Sequence, residues 1–343
     1  SPIIDEGIVY VSGTFGKIIA FEKTKGTVIW QIEDKNYRPL SIWNDLLLMS
    51  TYEGNIMALD KRTGKTVWSY QLKGNPGEMT VSEKGIFVDE YNNGNYIHTL
   101  YSVNPDTGQL NWKLETGRDT VRIAYDKNLD RLFSLTTTGK LSALNPADGS
   151  VLWKTRVYKG EVAFATFPAI DEKHVYVTTG DFGGVVAVSK QNGKIIWGND
   201  SFSDNRIYTD PIIVNGVVYL GTAGGLFTGL DSETGKVLWK YQSEPQDIST
   251  NASVSDGVLY IGSRASGIYA FESINPGIYV SESGPPKTSG KTLTTGINLG
   301  WVKSIIIYGL WIVGAIFYLN RTKKGKFQSD ESHKFASQMA SAG

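Results

Sequence analysis

ALDKRTGKTVW (58–68) decides the fold, because its grammar returns as AFEKTKGTVIW (20–30), SVNPDTGQLNW (102–112), ALNPADGSVLW (143–153), AVSKQNGKIIW (187–197) and GLDSETGKVLW (229–239). Each copy sets a small residue and an apolar one before a turn that ends in glycine, and a tryptophan follows the glycine by four positions. Trp30, Trp68, Trp112, Trp153, Trp197 and Trp239 fall 38 to 44 residues apart. A period near 40 marks one supersecondary unit used many times, as in propellers and solenoids.

Working outward, the sixth unit reads TDPIIVN (209–215), VVYLGT (217–222), GLFTGLD (225–231) and KVLWKYQ (236–242), four short strand patterns separated by glycine turns. Four such strands make an antiparallel blade. The tryptophan is a flat body suited to the wedge between blades, with an indole N–H that needs a backbone acceptor. The glycine supplies the positive φ of the turn. Asp60, Asp106, Asp148 and Asp231 stand at recurring turn positions and read as backbone caps, not catalytic acids.

Units at 3–33, 39–72, 79–115, 121–157, 166–199, 208–242 and 251–282 predict an all-β, seven-bladed propeller over 1–282; an upstream strand before Ser1 would make it eight. The seventh unit keeps DGVLYIGS (256–263) and GIYAFES (267–273) but ends in PGIYVSES (276–283), without tryptophan. A terminal repeat is expected to depart from its neighbours.

The 343 residues carry 34 Lys+Arg against 34 Asp+Glu, so no global field favours nucleic acid. The absence of cysteine excludes disulfides, thiolate metal sites and cysteine nucleophiles. After a Ser/Thr/Gly/Pro-rich stretch over 283–298, read as a stalk, comes a predicted transmembrane helix, 299–319, with Lys303 near one end. Arg321, Lys323, Lys324 and Lys326 open the tail 320–343 and place it in the cytoplasm by the positive-inside rule. The propeller is then outside the cytoplasm, and a start at Ser1 reads as a mature chain after signal removal or a trimmed one. That topology makes the sequons at Asn199 and Asn251 candidate glycosylation sites.

On the six tryptophan repeats, the chain resembles the PQQ-like, or quinoprotein-type, β-propeller family across about residues 1–280. The family includes pyrroloquinoline-quinone dehydrogenases. It also includes non-catalytic scaffolds, such as an outer-membrane assembly lipoprotein and the lumenal propeller of a membrane-insertase complex. The resemblance to the dehydrogenases implies PQQ over calcium, held by acidic and amide ligands, with an aspartate base and often a vicinal disulfide. Zero cysteines removes that disulfide. Blades of about 42 residues leave little loop material to wall in a cofactor.

Loops leading into the first strand of each blade converge at one end of a propeller. Those positions hold Arg38, Glu78, Arg118, Arg122, Arg206, Tyr208, Asp210 and Asp247, a set suited to an anionic peptide, carboxylate or sugar acid. Solvated walls and blade-to-blade ion pairs are the competing reading. The stretch DEYNNGNYIHTLY (89–101) lengthens the third blade's hairpin and carries Tyr91 and Tyr96 as candidate interface residues. His98, His174 and His333 form no triad recognisable from sequence. The expectation is a membrane-anchored interaction scaffold or accessory subunit that joins other protein subunits, with no cofactor. A PQQ- and calcium-dependent alcohol or sugar dehydrogenase and a ligand sensor are the alternatives.

Overall fold

The computed structural model describes residues 2–12, 17–33, 40–92, 96–162, 165–202, 206–207, 209–243, 251–255, 257–263 and 267–271. Six antiparallel four-stranded sheets, at 3–33, 41–71, 75–117, 121–156, 169–199 and 212–242, precede a seventh with three described strands over 253–271. Within every sheet, strands follow in chain order, which is the up-and-down meander of a propeller blade. The first sheet belongs to one compact unit and the other six to a second, Tyr37–Thr295. PGIYVSES, the stalk, the predicted span and the tail lie outside the described residues. Among the described residues no helix is long and apolar enough to cross a membrane.

The middle strands of the second to sixth sheets are largely buried on both faces, as LLLM (46–49) and NIMAL (55–59) show in the second, so they read as apolar runs. Outer strands alternate: in TVWSYQ (66–71) Trp68 and Tyr70 are half-buried while Val67, Ser69 and Gln71 are exposed. The small residue of the motif sits directly across from the tryptophan, pairing Ala20 with Trp30, Ala58 with Trp68, Ser102 with Trp112, Ala143 with Trp153, Ala187 with Trp197 and Gly229 with Trp239. A β-bulge follows each pair, twisting the outer strand at the same place in every repeat.

Four of the six tryptophans are satisfied by the next blade. The indoles of Trp68, Trp112, Trp153 and Trp197 donate to the carbonyls of Pro105, Pro146, Lys190 and Ser232 at 3.1, 2.8, 3.3 and 2.9 Å. The ring faces of these four cover the turn glycines of the following blades. A Cβ on Gly149, at φ +74°, would stand 2.8 Å from the Trp112 ring. This glycine is thus required twice, once by its own backbone and once by its neighbour's indole.

Apolar clusters fill the interfaces between successive sheets from the second to the seventh. Leu48, Ile56 and Ala58 meet Ile86, Val88 and Val103; farther on, Tyr219 and Phe227 meet Leu259, Ile261 and Phe271. One buried ion pair joins the fourth and fifth sheets, where Lys190 Nζ lies 2.7 Å from Asp126 and also donates to the Asp171 carbonyl at 2.9 Å.

The third sheet is larger than its spacing suggests. It runs over 75–117, and Tyr91 pairs with His98 inside the ladder, so the lengthened segment is absorbed mainly as longer strands. Tyr96 stands at the turn with φ +58° and is exposed. The turn aspartates behave as expected with one correction. Asp60 accepts from the Thr63 N–H at 2.7 Å, Asp231 from the Thr234 N–H at 2.8 Å and Asp148 from the Ser150 N–H at 2.9 Å. Asp106 instead accepts the Trp43 indole N–H of the preceding sheet at 2.8 Å, and Asn104 takes over the capping, bonding the N–H groups of Asp106 and Thr107 at 2.9 Å. In the NPDTG form of the turn the first position is asparagine, which frees the aspartate to reach across.

Candidate functional site

First strands of successive blades contact one another along the third, fourth, fifth and sixth sheets. Their starts bring residues distant in sequence into one constellation. Asp210, just ahead of the sixth sheet, accepts the Phe167 N–H on Oδ1 at 2.7 Å and the Asn251 side-chain N–H on Oδ2 at 2.6 Å. Asn251 Oδ1 returns the bond by accepting the Asp210 N–H at 2.8 Å. Three blades are therefore tied through one carboxylate.

Arg122, at the start of the fourth sheet, lays its guanidinium 5.1 Å from the centre of the Phe167 ring and donates from Nε to the Ala165 carbonyl at 3.3 Å. Burial pushes the Asp210 carboxyl above its usual range. The Phe167 and Asn251 bonds and the Arg122 charge oppose that shift, while the negative charge of Glu78 reinforces it. Glu78, Arg122 and Asp210 thus share one electrostatic neighbourhood, as their sequence positions suggested.

The remaining candidates are dispersed. Arg206 pairs with Asp181 at 3.5 Å, and Arg118 is exposed; Arg38, Tyr208 and Asp247 lie outside the described residues. Among the described residues, one arginine joins the constellation beside two carboxylates. The local balance is acidic, where four gathered arginines would have been basic.

Beside this constellation lies a buried string that sequence reading did not join. Asp89 Oδ2 is 2.8 Å from His98 Nδ1 and accepts the Val121 N–H at 3.3 Å, while His98 Nε2 is 3.4 Å from Thr120 Oγ1. The Tyr91 ring covers the imidazole at 4.9 Å and meets Tyr96 at 6.4 Å. Burial raises the Asp89 carboxyl, against the pull of His98 and Arg122. Asp89 and His98 are almost fully buried, and the string ties the third blade to the fourth. Cross-strand register, pairing Asp89 with Leu100 and Tyr91 with His98, explains the proximity.

Phe167 and the bonding role of Asn251 were also missed. The signal was present: Thr166-Phe167, Thr209-Asp210 and Thr250-Asn251 repeat one position across three blades. At the sequons, Asn199 Nδ2 donates to the Gly235 carbonyl at 2.7 Å and Asn251 Nδ2 is engaged with Asp210, so the nitrogen a glycan would take is bonded in both.

The family model described as "Outer membrane protein assembly factor BamB" matches residues 37–164, 98–181 and 138–275. The chain belongs to this family. The assembly factor BamB of Yersinia pestis is 27% identical over 216 residues, covering 55% of this chain and 52% of that protein. A quinohemoprotein alcohol dehydrogenase, ADH IIB of Pseudomonas putida, is 22% identical over 276 residues, covering 72% of this chain and 34% of the enzyme. The crystal structure of BamB from Moraxella catarrhalis superposes with a TM-score of 0.51 at 17% identity, covering 79% of this chain and 95% of that one. The chain spans about half the length of the BamB relatives from Yersinia pestis and Nitrosomonas eutropha.

Both oxygens of Asp210 are committed to protein N–H groups. Among the described residues no three His, Cys, Asp or Glu side chains are grouped to hold a metal ion.

Proposed function

We propose that the protein is a membrane-anchored, extracytoplasmic propeller that serves as an interaction scaffold or accessory subunit of a membrane or envelope complex. Membership of the BamB family over 37–275 supports this reading, because BamB relatives are described as assembly factors for outer membrane proteins. The observation that carries it to a surface is the constellation at the first-strand starts, where Asp210 spends its hydrogen bonds on Phe167 and Asn251 while Glu78 is exposed. Such a site presents charge and shape to a partner. The hydrophobic segment 299–319 supplies the anchor and the stalk 283–298 the reach.

The test is site-specific photo-crosslinking of the full chain in cells. A crosslinker at Glu78 or Tyr96 is expected to trap a discrete protein partner, and one at Lys65 or Lys127, in turns at the opposite ends of their strands, is not. Equal trapping from both ends, or none, overturns the assignment of this face.

A further inference from the structure

The third blade carries a second feature that the constellation does not use. On the face turned toward the second blade, cross-strand register sets Glu90 opposite Thr99, Thr99 opposite Glu115 and Tyr101 opposite Lys113. With Lys73, from the connection between the two blades, these residues line a cavity of about 330 Å³. That volume is at the lower end for a small-molecule site.

Glu90 is only 2% exposed, yet its Oε1 is buried without a hydrogen-bond partner. Its side chain meets the Tyr101 hydroxyl. Among the described residues, neither lysine nor either glutamate of the cavity takes part in an ion pair. A buried carboxylate with an unfilled oxygen is costly, and a cation entering the cavity would relieve it.

The acceptors available are two carboxylates and the Thr99 hydroxyl, which match the three donors of a primary ammonium. Lys113 is two residues from Glu115 on the same strand face, about 6.8 Å along it, and with Lys73 offers a separate positive pole. The half-buried Ile97 adds an apolar wall. We propose that this cavity binds a small zwitterion, of amino-acid size, with its ammonium on Glu90, Glu115 and Thr99 and its carboxylate on Lys73 and Lys113.

Titration calorimetry on the purified full chain tests this with three probes of one carbon skeleton: L-leucine, isoamylamine without the carboxylate, and isocaproate without the ammonium. Leucine is expected to bind, isoamylamine at least tenfold more weakly, and isocaproate not at all. Glu90→Gln is expected to lose leucine binding at least tenfold while keeping or raising the thermal midpoint, since it removes a buried charge without removing volume. Lys113→Ala should weaken leucine and leave isoamylamine unchanged. No leucine heat at millimolar concentration, or unchanged binding in Glu90→Gln, overturns the site. Equal affinity for leucine and isoamylamine overturns the role of the two lysines.

Discussion

The two ends of the blades are built on opposite principles. At the end holding the tryptophan turns, four joints repeat the same parts: an indole, a carbonyl of the next blade, and a glycine under the ring. At the end where first strands begin, successive blades contribute Glu78, Arg122, Phe167, Asp210 and Asn251, no two alike. Repetition serves stability, because every interface of a repeat protein faces the same packing problem. The irregular end is where one blade differs from the next, and a partner or ligand can be chosen only by such differences.

The largest expected effect is at a joint. Trp112→Ala empties a buried interface and orphans the Pro146 carbonyl, and should cost about 3–5 kcal/mol in urea unfolding. A loss below about 1 kcal/mol would show that the repeated end is not where stability resides. Next comes Gly149→Ala, expected to cost about 2 kcal/mol through its positive φ and the Trp112 contact together. Gly117→Ala is its control: φ is +83° but no atom lies within 4 Å of the added Cβ, so only the backbone penalty of about 1 kcal/mol is expected. Equal costs would remove the indole from the explanation.

At the irregular end, Asp210→Asn sharpens the comparison through pH. The native Asp210 carboxyl holds its proton more tightly than the unfolded chain, whose aspartate sits near the ordinary 3.8. Wild-type stability from this group therefore falls as pH rises from about 3.8 through the raised native value, then levels off. Asparagine does not titrate, so the variant's stability relative to wild type should improve across that window; a gap independent of pH would contradict the shift. The smallest effect is at Asp106. Asp106→Ala should cost about 0.5–1 kcal/mol and couple to Trp43→Phe in a double-mutant cycle, whereas Asp60→Ala, a cap within its own turn, should add independently.

What was legible follows the same division. Blade number over the described chain, strand order and the capping roles of Asp60, Asp148 and Asp231 were readable, because turn chemistry and strand alternation act over a few residues. Asp106 was misassigned because its partner Trp43 is 63 residues away. The loops into first strands named Glu78, Arg122 and Asp210, which the structure brings into one electrostatic neighbourhood. Yet the same rule gave Arg118 and Arg206 equal weight, since position in a loop does not say where a side chain turns.

By itself, the sequence determined the repeat, the small residue set across from each tryptophan, and the glycine at each turn, all consequences of backbone geometry at fixed local spacing. Only the tertiary structure decided which carbonyl four of the indoles meet, that Asn251 closes on Asp210, that His98 is buried against Asp89, and that Glu90 lines a cavity and has a buried oxygen unfilled. Those contacts depend on register and on which sheet neighbours which, and no spacing along the chain encodes the direction of a side chain across that gap.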